Sequence, residues 1–127
     1  MQEVLNAPVD IKENDAAAID IGGAIEFKNV SFTYPGTEKA VLRDISLQVQ
    51  KGKKLAIVGA TGAGKSTLVH LIPRLYEPTA GQILIDGVDI RTIPLQVLRH
   101  SIGFVQQESF LFSDSIADNI AFGVVAQ

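Results

Sequence analysis

The run GATGAGKS, from Gly59 to Ser66, constrains this chain more than any other feature. It fits G-x-x-x-x-G-K-[ST], a spacing that grips phosphate when it lies between a strand and a helix. The flanks have that form. Lys54-Leu-Ala-Ile-Val58 predicts a buried strand, and Leu68, Val69, Leu71, Ile72 and Leu75 follow at helical three- and four-residue spacings. A helix start leaves backbone N–H groups without intrahelical partners, and the aligned peptide dipoles put partial positive charge there. Small residues such as Gly59, Gly62 and Gly64 let the backbone fold close around a phosphate. Lys65 then reaches the outer phosphates, and the Ser66 hydroxyl helps hold a magnesium ion. The plain alternative, a glycine-rich turn with an incidental lysine, accounts for neither the spacing nor the flanks.

The bulk composition narrows the rest. A chain of 127 residues is one modest domain or part of a larger one, and 46% hydrophobic residues are ample for a globular core. The 11 basic and 14 acidic residues leave a net charge of −3, which gives no support for nucleic-acid binding. Cysteine is absent, so neither disulfides nor thiolate metal sites are expected. No apolar run approaches the length of about 18 residues that a membrane span needs, and the first residues do not read as a signal peptide. Taken alone, the chain is expected to be soluble.

Residues 1–23 read as a lead-in, with Pro8, an acidic stretch around Glu13 to Asp15 and the breaker pair Gly22-Gly23. From Ala24 the pattern is that of ordered structure. Ile25 and Phe27 alternate with polar residues, and Val30 to Tyr34 continues the strand. Pro35-Gly36 marks a turn, and Val41 to Val49 predicts a second strand ending at Lys51-Gly52. After the glycine loop and its helix, Pro73 removes a backbone donor and ends or kinks the helix. Gln82 to Asp86 predicts a short strand closed by the turn pair Asp86-Gly87. Pro94 suits the first turn of a helix running to about His100, and Ile102 to Val105 predicts another buried strand. Ser115 with Asp118 resembles a capping box that opens a last helix, with Ile116 and Ile120 on one face. Hairpins mixed with strand-loop-helix units point to an α/β architecture with an added antiparallel β layer.

Four stretches carry a resemblance in kind, order and separation: IEFKNVSFTYPG (25–36), VLRDISLQVQKGKKLAIVGATGAGKST (41–67), YEPTAGQILIDG (76–87) and LRHSIGFVQQESFLF (98–112). Together they resemble the nucleotide-binding domain of an ATP-binding cassette transporter, of the exporter type fused to membrane helices. The fold so implied is part of a P-loop NTPase core plus the β layer. The resemblance puts Tyr34 where an aromatic ring stacks on adenine; the bland reading is an ordinary strand-end tyrosine. It makes Gly59, Ala60, Thr61, Gly62, Ala63, Gly64, Lys65, Ser66 and Thr67 the phosphate cradle. Gln107 matches the family's Q-loop glutamine, which serves the magnesium and γ-phosphate region and links the site to the membrane domain. Gln106 beside it is chemically identical. Phe110, Leu111 and Phe112 fall where the family borders a groove for a membrane-domain helix, or serve as plain core. Catalytic roles thus fall to Lys65 and Gln107, and magnesium contacts to Ser66 and Gln107.

The pattern also departs from the family. The sequence stops at Gln127, after the Q-loop, without an LSGGQ-type signature, a Walker B strand or a switch histidine. Residues 24–127 are therefore expected to be the N-terminal part of such a domain, truncated after the Q-loop, behind a 1–23 connector. Two stretches imitate a Walker B. Ala16 to Asp20 lies in the lead-in, and Ile83 to Asp86 runs into Gly87 as a hairpin turn. His70 and His100 are expected to be surface or packing residues, and Glu108 is a stray carboxylate. The resemblance implies ATP and Mg2+ as cofactors, with the membrane domain of the same transporter and a second, head-to-tail nucleotide-binding domain as partners. It implies the cytoplasmic face of a membrane for the intact transporter, and nucleotide binding without hydrolysis for this chain. A self-sufficient P-loop kinase or GTPase would need a downstream acidic strand end or base-reading motif, which the sequence does not offer. The other rival is a non-catalytic regulatory or interaction module derived from a transporter.

Overall fold

The computed structural model describes residues 21–107, 113 and 115–121. Its element order is β1 (Ile25–Thr33), β2 (Ala40–Val49), α1 (Lys65–Leu71), β3 (Ala80–Ile85), β4 (Val88–Asp89), a 3-10 turn (Ile90–Thr92), α2 (Leu95–His100) and α3 (Ile116–Ala121). The strands make one antiparallel sheet in the order β2-β1-β3-β4. This is the added β layer expected from the alternating patterns.

The alternation along β1 is not strict, and a bulge explains why. Phe27 pairs with Leu47 and Val30 with Ile45, so Lys28 and Asn29 together oppose Ser46. Asn29 takes φ of 48° there, and its N–H donates to Ser46 Oγ at 2.9 Å. Its side-chain amide donates to Asp44 Oδ1 at 2.8 Å, while the Asp44 N–H donates to Ser31 Oγ at 2.9 Å. The extra residue resets the phase, so that Phe27, Val30 and Phe32 all point into the core. That core also takes Leu42 from β2, Leu68 and Leu71 from α1, Ile83 and Ile85 from β3, and Ile90, Ile93 and Leu98 from the segment after the sheet.

Helix α1 ends at Leu71, two residues before Pro73, with Ile72 as its C-cap. The chain then turns through Arg74, at φ 52° and only 3% exposed. Arg74 Nη2 pairs with Glu77 Oε1 at 2.6 Å, and the Arg99 guanidinium donates to the carbonyls of Pro73 and Arg74 at 3.0 Å each. Two cations thus sit beside the negative end of the helix. Ser115 caps α3 through the Asp118 N–H, at 3.1 Å from its Oγ.

Two expected strands are absent from the ladder. Lys54–Val58 runs without strand pairing among the described residues, with Leu55 53% and Val58 93% exposed. Ile102–Val105 is likewise unpaired, and Val105 is 95% exposed. Apolar runs of this kind suit parallel strands covered on both faces. A strand is made by its neighbours, and none of the described residues lies in register beside either segment.

Asp86 and Gly87 take φ of 51° and 81°, and Ile85 pairs with Val88, so the two residues form a tight hairpin turn. The Asp86 carboxylate accepts the backbone N–H groups of Gly22 at 2.5 Å, Gly23 at 3.0 Å and Ala24 at 2.9 Å. These donors hold its carboxyl below the ordinary 3.8, the Ala24 N–H first and then that of Gly23; burial opposes them, while Gly22 and the Lys51 charge add to the lowering. A depressed carboxyl pKa stabilises the charged form, so the anchor is complete above the unfolded value and fails as pH falls through the folded one. Amide exchange at Gly23 and Ala24, corrected for intrinsic rates, should therefore lose protection only below about pH 3.8. Asp86→Ala should remove that protection, about three- to tenfold, at neutral pH. Unchanged exchange in the variant would show that the carboxylate does not anchor this segment.

Candidate functional site

The glycine loop and α1 meet at Gly64, the N-cap of α1, at φ 90°. A side chain would be strained there on two grounds. The φ is left-handed, and a Cβ would lie 3.0 Å from Leu42 Cδ2 and 3.2 Å from the Val41 carbonyl oxygen. Gly62 also has a left-handed φ, 81°, in open space. No side chain caps α1, and its first turn contains no acid, so among the described residues the positive end of the helix faces the loop without a carboxylate of its own turn competing for it. Lys65 folds back over this loop. Its Nζ donates to the carbonyls of Gly59 and Ala60, at 2.7 Å each.

Lys65 and Ser66 line an open cleft of about 710 Å³ together with Gln106 and Gln107. The helix positions the first pair, and the extended segment 102–107 carries the second. His70, one turn along α1 from Ser66, lines the cleft too, with Tyr76 and Phe104, and among the described residues no Asp or Glu does. Ser66 and Gln107 each bring one neutral oxygen donor, the hard type that magnesium takes beside its retained waters. The donor set therefore fits the ion. Among the described residues no group of three or more His, Cys, Asp or Glu could hold a metal by itself.

Tyr34 lies just past the end of β1 and lines a second cavity, of about 300 Å³, with Gly62, Gly64, Lys65, Ser66 and Thr67. Its hydroxyl bonds to Thr67 Oγ1 at 2.9 Å. Thr67 is 6% exposed and meets Tyr34 through this bond. Gly59, Ala60, Thr61 and Ala63 complete the exposed loop.

The imitations of a Walker B separate clearly. Asp86 is committed to the turn and the anchor at Gly22 to Ala24. Asp20 lies outside the described residues, as do Glu108 and the Phe110–Phe112 run. His100 is exposed near the end of α2, whereas His70 turns out to line the cleft. Tyr76 and Phe104 were not singled out by sequence reasoning. Both lie within the stretches that carry the resemblance, but no spacing gives either a role, and only the folded chain brings them to the site.

Residues 42–127 match the family described as "ABC transporter". The chain belongs to that family, and its fold is part of the α/β P-loop core with the antiparallel layer attached. It is 46% identical over 98% of its length to an ATP-dependent lipid A-core flippase of Pseudomonas fluorescens, covering 21% of that protein. It is 48% identical over 95% of its length to a fatty acid ABC transporter ATP-binding/permease protein of Mycobacterium bovis, covering 19% of it. A solved bacterial Atm1-family ABC exporter with ATP bound superposes with a TM-score of 0.86 at 38% identity, over 95% of this chain and 21% of that one. The chain thus spans about a fifth of the length of these relatives. Among the described residues no helix is long and apolar enough to cross a membrane.

Proposed function

We propose that this chain is the nucleotide-gripping part of an ABC exporter, binding MgATP through the glycine loop. The observation that carries the reading is convergence: Lys65, Ser66 and Gln107 line one cleft, and Tyr34 lines the adjoining cavity with the same loop. Lys65 exchanges its two carbonyl partners for the outer phosphate oxygens, a stronger, charge-assisted contact. Backbone N–H groups from Gly59 to Ser66 hold the inner phosphates, and the Tyr34 ring takes the base. Ser66 and Gln107 would hold the magnesium ion, which supplies charge neutralisation between the phosphates. In the whole transporter, binding at this site would draw two such domains together head to tail on the cytoplasmic face, with Gln107 passing the change to the membrane domain. The substrate carried belongs to other parts of the protein.

Phosphoryl transfer to water also needs a group that orients the water. Among the described residues the cleft's lining has His70 but no carboxylate. The 127-residue chain is accordingly expected to bind ATP without turning it over. Titration calorimetry should show saturable MgATP binding while phosphate release stays at background across a range of protein concentrations. Supplying the rest of the ATP-binding domain, in trans or in one chain, should restore turnover. Hydrolysis by the chain alone, abolished by Lys65→Ala, would overturn this and make Glu108 the first residue to test. No binding at all would overturn the nucleotide reading.

A further inference from the structure

Tyr34 is fixed at three points. Thr67 holds its hydroxyl, and two rings meet it in edge-to-face arrangements. Phe32 crosses it at 82° with centroids 4.8 Å apart, and Tyr76 at 87° and 5.2 Å. Neither neighbour lies flat on the ring, so neither replaces a stacked base. Phe32 belongs to the buried core and would be there for packing alone. Tyr76 is different. It is 37% exposed and comes from the turn after α1, and it stands between Tyr34 and a further pair of rings. His70 lies 6.4 Å from Tyr76, and Phe104 lies 5.6 Å from His70. Phe104 leads directly to Gln106 and Gln107, and Tyr76, His70 and Phe104 all line the cleft beside Lys65 and Ser66.

Tyr34 packs against the buried core, and these edge-to-face contacts add to that packing. A ring that must accept a flat base gains more, because an aromatic pre-set at the right angle loses less freedom when the base arrives. Edge-to-face neighbours supply that setting through the ring quadrupole, which needs the aromatic ring and not the hydroxyl. We propose that Tyr76 is a positioning residue for recognition of the nucleotide's purine base, holding the Tyr34 ring in its stacking orientation. The proposal rests on the reading of Tyr34 as the base-stacking residue.

The composition provides a clean probe. Tyr34 and Tyr76 are the two tyrosines of the chain, and it has no tryptophan, so tyrosine emission reports this pair alone. The experiment is titration of the 127-residue chain with MgATP and with magnesium tripolyphosphate, comparing wild type with Tyr34→Ala, Tyr76→Ala and Tyr76→Phe. Tyr76→Ala should bind ATP about three- to tenfold more weakly and tripolyphosphate unchanged. Tyr76→Phe should bind both as wild type does, and its emission, then Tyr34's alone, should respond to ATP and not to tripolyphosphate. Tyr34→Ala should lose at least as much ATP affinity as Tyr76→Ala. Wild-type ATP affinity in Tyr76→Ala beside a weakened Tyr34→Ala would overturn the proposal and leave the base reading intact. Equal loss of ATP and tripolyphosphate in Tyr76→Ala would overturn it too, by assigning the ring to the fold. A Tyr76→Phe variant as weak as Tyr76→Ala would move the role to the hydroxyl and overturn the edge-to-face argument. Full ATP affinity in Tyr34→Ala would remove the base reading and the proposal together.

Discussion

Lys65→Ala is expected to weaken MgATP binding by about 10- to 100-fold, the span that loss of a charge-assisted contact implies. Lys65 is the only cation in the glycine run from Gly59 to Ser66 and lines both cavities of the site. Its Nζ is satisfied in the structure by two carbonyl oxygens of its own loop, Gly59 and Ala60. Those bonds are exposed, so their removal should cost the fold little beside the loss of affinity. A useful control is Lys54→Ala, which removes an exposed lysine from the segment leading to the loop and should leave ATP affinity within about twofold. Calorimetric titration of both variants separates a specific phosphate contact from a general charge effect. Equal affinity in Lys65→Ala and wild type would end the assignment of the loop as a phosphate site.

Most of what surrounds this loop was legible in the sequence, for reasons that differ by element. β1 and β2 advertise their inward faces through Phe27, Leu42, Ile45 and Leu47, and Asp86-Gly87 marks its own tight turn by chemistry that needs no distant partner. Helix α1 has both a glycine entrance and Pro73 just beyond its end. Lys54–Val58 and Ile102–Val105 fail as paired strands because their signal, an apolar run, states a need for neighbours without supplying them. The same logic separates the site residues. Lys65, Ser66 and Gly64 are close in sequence, so spacing alone finds them. The contact between Tyr34 and Tyr76, the turn of His70 toward the cleft and the bonding of Thr67 to Tyr34 all join distant segments. Local patterns do not encode them.

Gly81→Ala should unfold the β layer or come close to it. Gly81 has φ of 80°, and a Cβ there would lie 2.4 Å from the carbonyl oxygens of both Lys28 and Asn29. Real Cβ atoms do not approach backbone so closely, and neither oxygen belongs to a flexible side chain that can swing away. The site of the clash magnifies the cost. Lys28 and Asn29 form the bulge of β1, and β1 and β3 pair from Ile25↔Ile85 to Ser31↔Ala80 around it. In the order β2-β1-β3-β4, that pairing is what joins the two halves of the sheet. Separating β1 from β3 would also displace Tyr34, which follows directly from β1. A penalty above about 4 kcal/mol is expected, a large share of the roughly 5–15 kcal/mol by which domains are stable. Gly87→Ala isolates the backbone cost, since Gly87 has nearly the same φ, 81°, with no atom within 4 Å of its Cβ position. That variant should lose only about 1 kcal/mol, the ordinary cost of placing a side chain at positive φ. Urea unfolding followed by circular dichroism compares the two directly. Midpoints for Gly81→Ala and Gly87→Ala that agree would mean that β1 and β3 do not approach as closely as described, and that the Lys28–Asn29 bulge has room to move.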